Sequence, residues 1–142
     1  MTQKHLLLHV GIAEFSEPTL LLIGDALVLY WLADQIDARQ ELKLAEMPSL
    51  VSQTEVNLRL APATHSGSLT RKGKAFSWEI SADEAKKFAQ QLRGLAASPG
   101  PAHAYLDPES NTSGVQVVAS KEEYDLEKIF GAVMGSDTIK DF

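Results

Sequence analysis

Cysteine is absent from the 142 residues, which excludes disulfide staples, thiolate nucleophiles and zinc sites built on thiolates in any compartment. Long apolar runs are missing too. The longest, Leu20 to Ala33, is interrupted by Gly24 and Asp25 and closed by Asp34, short of the roughly 20 residues a bilayer-spanning helix needs. Near the N-terminus, Leu6-Leu7-Leu8 is cut off by His9, too brief for the core of a secretory signal, so a cytoplasmic protein is expected. The chain has no G-x-G-x-x-G, no P-loop, no G-x-S-x-G elbow and no H-E-x-x-H pair. Neither a catalytic residue nor a cofactor is therefore expected. Basic charge is the scarcer sign, with 13 Lys and Arg against 19 Asp and Glu, a net charge of −6. That field repels nucleic-acid phosphates and anionic membranes and suits a basic protein partner.

What is present is an ordinary globular composition, 44% hydrophobic and 23% charged, on a chain long enough to bury a core as one domain over residues 1–142. Period-two alternation predicts strands over Lys4 to Ile12, with Leu6, Leu8 and Val10 on one face, and over Thr54 to Leu60, with Val56, Leu58 and Leu60 inward. Thr19 to Ile23 is a compact apolar strand. Asp25 can cap a helix from Ala26 to Arg39, in which Leu29, Leu32, Ala33 and Ile36 recur at the helical period. A hairpin turn at Gly24-Asp25 is the competing reading, because Ala26 to Leu32 is continuously apolar and periodicity there is ambiguous. Glu41 to Ala45 is a short strand. Leu69 to Arg71 and Lys74 to Ile80 form a hairpin around Lys72-Gly73, where glycine tolerates the positive φ a tight turn requires.

The sharpest local signal is Ser81-x-x-Glu84, a capping box that opens the helix Ala82 to Ala97. Its apolar stripe is Ala85, Phe88, Ala89, Leu92, Leu95 and Ala96, and Ser98-Pro99-Gly100-Pro101 ends it. Ala102 to Leu106 and Val115 to Ala119 read as a second hairpin. A further box, Ser120 to Glu123, opens a short C-terminal helix. The expected fold is therefore α+β: a largely antiparallel sheet packed by two main helices, about 25–39 and 82–97, with that short helix at the end. Leu32-Ala33-Asp34-Gln35-Ile36 is similar to Phe88-Ala89-Gln90-Gln91-Leu92, each within a strand–helix–strand unit, a short internal likeness compatible with either duplication or coincidence.

Few residues offer chemistry. His5 and His9 lie about 13 Å apart if both sit on one strand, too far to share an ion, so no metal site is expected. His103, Tyr105 and Asp107 alternate along one strand and share a face, a base, a phenol and a carboxylate in a row. Spaced about 6–7 Å apart, they suit a solvated or protein-binding surface better than a proton relay. Arg71-Lys72-Gly73-Lys74 at a hairpin tip is either a solubility device or an oxyanion site. Glu122, Glu123 and Asp125 beside Tyr124 are either the acid-biased first turn of a helix or an anionic patch with an aromatic anchor facing a basic partner.

Three segments together carry a resemblance: E-A-x-x-F-A-x-x-L on Glu84, Ala85, Phe88, Ala89 and Leu92; G-P-A-H-x-Y-L-D from Gly100 to Asp107; and V-V-A-S-K-E-E-Y from Val117 to Tyr124. Over its C-terminal third to half the chain resembles small uncharacterised bacterial proteins grouped with immunity proteins of polymorphic toxin systems. The resemblance implies a cytosolic partner-binding protein that neutralises a toxin by occlusion. Together with the acidic charge and the missing catalytic motifs it leads to the expectation of a non-enzymatic binding module whose partner-binding surface is His103, Tyr105, Asp107 and Glu122, Glu123, Tyr124 and Asp125. Two other classes remain open: a small enzyme or ligand-binding domain using His103, Tyr105 and Asp107 in a cleft, and an oligomerisation domain that self-pairs through an open sheet edge.

Overall fold

Gly24-Asp25 begins a helix. The Asp25 carboxylate accepts a hydrogen bond from the Val28 amide at 3.1 Å, satisfying one of the donors a first helical turn leaves unpaired. Helix α1 runs Ala26–Asp37 and buries Val28, Leu29, Leu32, Ala33 and Ile36. The computed structural model describes residues 7–121. In chain order they form β1 Leu8–Glu14, β2 Pro18–Gly24, α1, β3 Leu42–Lys43, a 3-10 turn Leu44–Glu46, β4 Val51–Thr54, β5 Asn57–Pro62, β6 Ser68–Lys72, β7 Ala75–Ile80, α2 Ala82–Ala97, β8 Ala102–Tyr105 and β9 Gln116–Lys121. The class is α+β, as expected. The expected C-terminal helix lies outside the described residues, and Ser120, read as its cap, is a buried residue of β9.

The sheet departs from expectation in being two sheets, each mixed. One has the order β4-β1-β2-β9-β8 and the other β3-β5-β7-β6. Hairpins β1–β2, β6–β7 and β8–β9 and the pair β3–β5 are antiparallel, whereas β1–β4, β2–β9 and β5–β7 are parallel. The run Thr54 to Leu60, expected as one strand, is split. Glu55 takes φ +61, an uncommon left-handed conformation for a non-glycine residue. It sends Val51–Thr54 to the edge of the five-stranded sheet and Asn57–Pro62 into the other. The Gln53 side chain closes the break by accepting from the Leu58 amide at 2.8 Å.

The helix likeness seen in the sequence extends to the whole fold. Counted from their N-caps, Asp25 and Ser81, residues Leu29, Leu32, Ala33 and Ile36 of α1 occupy the places of Ala85, Phe88, Ala89 and Leu92 of α2, all buried. Before each helix lies a hairpin, and its second strand pairs in parallel with a strand of the other half. Leu20 and Leu22 face Val117 and Ala119, just as Phe76 and Trp78 face Leu58 and Leu60. Each neighbouring strand then repeats the pattern, Ala104 opposite Ala119 and Leu42 opposite Leu60. Even the β1–β4 pairing has a vestige in a single parallel bridge between Leu69 and Asn111. Each half thus completes the other half's sheet, and one continuous core gathers the inward residues of both sheets and both helices.

Charged side chains tie the helix ends. Arg39, at φ +59 just beyond α1, donates to the carbonyls of Ile80 and Ala63 at 2.9 Å each. The buried Lys121 ammonium donates to Ala96 and Ser98 carbonyls at the end of α2, where the helix dipole favours a cation.

Candidate functional site

Strand β8 forms one edge of the five-stranded sheet. Its alternation turns Ala102 and Ala104 toward the core and leaves His103 and Tyr105 exposed, with Asp107 exposed just beyond. Leu106, fully buried, anchors the strand end through its amide, which donates to the Val117 carbonyl at 3.0 Å. The Gln91 amide of α2 donates to the Tyr105 carbonyl at 2.8 Å, fixing the backbone from outside the sheet. The His103 and Tyr105 rings meet edge to face, centroids 5.7 Å apart at 76°, a geometry aromatic quadrupoles favour. Two of the expected site residues, His103 and Tyr105, thus share one exposed strand, and Asp107, expected on it, lies exposed two residues beyond its end. Glu122, Glu123, Tyr124 and Asp125 lie outside the described residues.

Registers extend this strand across the sheet. Tyr105 is opposite Val118, which is opposite Leu21 and then Gly11. In the adjoining row His103, Ser120, Ile23, His9 and Ser52 line up. Leu21, Ile23, Val118 and Ala13 form a buried apolar cluster of their own, separate from the main core. Tyr105, 49% exposed, stands at its margin. His9 feels the burial: desolvation disfavours its imidazolium and holds its pKa below the ordinary histidine value. The unfolded chain then binds the proton more readily. The stability that His9 contributes is present above about pH 6.5 and declines as pH falls below it. We expect the loss of stability between about pH 7.5 and 5.5, read from urea midpoints, to be shallower in His9→Gln; an equal or steeper loss in the variant would contradict it.

The outer face of the four-stranded sheet went unrecognised in the sequence. Lys43, Arg59, Ser77 and Thr70 form one row across four strands, and Asn57, Ala75 and Lys72 the next. They line a hollow of about 610 Å³ together with Arg71, Ala45, Glu46 and Phe76. Arg59 donates through Nε to Glu41 at 2.9 Å and through Nη1 to the Ser77 hydroxyl at 2.7 Å. That hydrogen bond, with the charges of Arg59 and Lys43, lowers the Glu41 pKa. Arg71 lies over the Phe76 ring, 4.8 Å from its centroid, and Lys74, at the tip, pairs with Glu55. The hairpin cations thus divide. Arg71 and Lys72 line the hollow, while Lys74 is drawn to a carboxylate. The alternation of Asn57 and Arg59 hinted at a polar face, but only the registers join it to Lys43 and Lys72.

Among the described residues no group of three or more His, Asp and Glu side chains is placed to hold a metal ion. No described helix is long and apolar enough to cross a membrane. Comparison with protein-family models, curated proteins and solved structures finds no match to the chain.

Proposed function

We propose that the chain is a non-enzymatic protein-binding module, of the immunity kind that neutralises a partner toxin by occluding it. The observation that carries this reading is the exposed pair His103 and Tyr105 on edge strand β8, continued by exposed Asp107 just beyond it, with Tyr105 half exposed beside buried apolar residues. Tyrosine in such a setting is a common interface anchor, since a rigid amphipathic ring buries much area at little entropic cost. A catalytic use of the same three groups would require them to converge. Alternation along one strand instead spreads His103 and Asp107 over about 13 Å.

Calorimetric titration with the purified product of a neighbouring toxin-like gene tests the proposal. Tyr105→Ala should weaken binding by roughly thirtyfold, the scale of an interface hot spot, without shifting the thermal midpoint. An unchanged affinity counts against it. Loss of a turnover or small-ligand signal in His103→Ala, at constant melting temperature, would favour the enzyme or ligand-binding alternative. Concentration-dependent light scattering abolished by Tyr105→Ala would favour the oligomerisation alternative.

A further inference from the structure

The repeated fold turns one face of each sheet away from the main core in equivalent positions, and the sequence treats the two oppositely. On the five-stranded sheet the row Gly11, Leu21, Val118, Tyr105 is largely apolar, with Leu21 0% and Val118 4% exposed. The equivalent row of the four-stranded sheet is Thr70, Ser77, Arg59, Lys43. The two rows hold equivalent places in the two sheets of a repeated strand–helix–strand arrangement, so the fold itself does not demand cations at these positions. We propose that this second face is a docking groove for an extended, acidic segment of a protein partner. The proposal concerns a different surface from β8 and stands or falls separately from it.

Charge and shape both favour this occupant. Lys43, Arg59 and Lys72 stand in the outward rows around the hollow, with Glu46 in its lining and Glu41 paired to Arg59, within a chain whose net charge is −6. Ser77 and Asn57 add a hydroxyl and an amide donor between the cations. Small Ala75 and Ser77 at the centre, between the longer chains, make the floor. Arg59 is preset by Glu41 and Ser77, which lowers the ordering cost of a charge-assisted contact. The donors are spread in rows rather than converged on a point. Four strands about 4.8 Å apart make a row of roughly 15 Å, and rows are about 6–7 Å apart. A single small oxyanion reaches one corner of such an array. An extended peptide presents same-side carboxylates every second residue, about 6–7 Å apart, and matches the row spacing.

The test is fluorescence anisotropy with the full chain and a fluorescein-labelled peptide of alternating Glu and Ser at low salt. An alternating Gln and Ser peptide is the control, and sodium phosphate the competitor. We expect saturable binding to the Glu peptide alone, weakened by added salt. Lys43→Glu/Lys72→Glu should lower the affinity about tenfold, and Lys86→Glu/Lys87→Glu, an equal charge change on exposed positions of α2, less than about twofold. Lys43→Ala/Lys72→Ala should give a smaller loss of the same sign, so a folding failure of the first variant still leaves a reading. In heteronuclear spectra, amide shifts on titration should centre on Lys43, Arg59, Thr70, Lys72 and Ser77. The proposal is overturned if the α2 pair weakens binding as much, if the shifts fall elsewhere, or if phosphate competes at the peptide's own concentration. It is also overturned, in favour of a second copy of the chain, if Lys43→Glu/Lys72→Glu changes the sedimentation of the protein alone.

Discussion

Trp78→Ala is expected to cost about 3–5 kcal/mol of folding stability, the range for removing a fully buried large aromatic. Trp78 is 0% exposed. It stands in an inward row with Leu69, Leu60 and Leu42, each also buried, and its ring is tilted 54° against Phe88 of α2, centroids 5.4 Å apart. The position therefore joins β7 to the helix that follows it and to the parallel strand borrowed from the first half of the chain. For a domain of this length the loss corresponds to a fall in Tm of roughly 10 °C or more. A second substitution separates packing from polarity. Trp78 Nε1 is buried with no hydrogen-bond partner among the described residues, an arrangement that costs free energy. Trp78→Phe keeps most of the ring and removes the stranded donor, so its expected cost is about 1 kcal/mol or less. Urea unfolding followed by far-ultraviolet circular dichroism measures both. A Phe variant as damaged as the Ala variant would show that the indole packs in a way the phenyl ring cannot replace.

How much of this was legible in the sequence depended on the range of the interactions involved. Helix α2 was read to its ends because Ser81, Glu84 and the apolar stripe act within a few residues of one another. The inward faces of β1 and β5 followed from alternation for the same reason. At Gly24-Asp25 the local pattern was ambiguous, since Ala26 to Leu32 is apolar on every side. The helix prevails because its inward face packs against α2, a contact no local window contains. The break at Glu55 had no signal at all. Alternation runs straight through it, and a glutamate is an unexpected residue at φ +61. Parallel pairings such as Leu20 with Val117 depend on residues far apart in the chain, so neither the second sheet nor the exchange of strands between halves was visible. The site divides in the same way. His103 and Tyr105 were placed together by strand period alone, whereas the cationic face needs Lys43, Arg59 and Lys72 from three strands in register.

Glu84 offers the second large effect, through hydrogen bonds rather than volume. Its carboxylate is 4% exposed and accepts from the Ser81 amide at 2.9 Å and the Glu109 amide at 2.7 Å, while Ser81 Oγ accepts from the Glu84 amide at 3.1 Å. Glu109 in turn accepts from the Gly67 amide at 2.6 Å and from the Ser81 hydroxyl at 3.3 Å. The buried Glu84 carboxylate thus fastens the start of α2 to the connection from β8 to β9, and the Glu109 carboxylate ties in the approach to β6. Glu84→Ala strands the buried Ser81 amide and frees the Glu109 amide toward solvent. The expected cost is about 2–4 kcal/mol, a cap loss plus an unsatisfied buried donor. Glu84→Gln keeps one acceptor and should fall between that variant and the wild type. Gly67 shares the same space: a Cβ there would lie 1.6 Å from Glu84 Oε1 and 2.9 Å from the Glu79 carbonyl oxygen. Gly67→Ala must therefore expel the carboxylate from its place, at a cost comparable with Glu84→Ala. Because both substitutions break the same bonds, the double variant should lose less than the sum of the singles by about 1 kcal/mol or more, the signature of coupled neighbours. Urea unfolding of all four members of the cycle decides it. Strict additivity would mean that the carboxylate and the glycine act independently, and that the three segments are not held at one point.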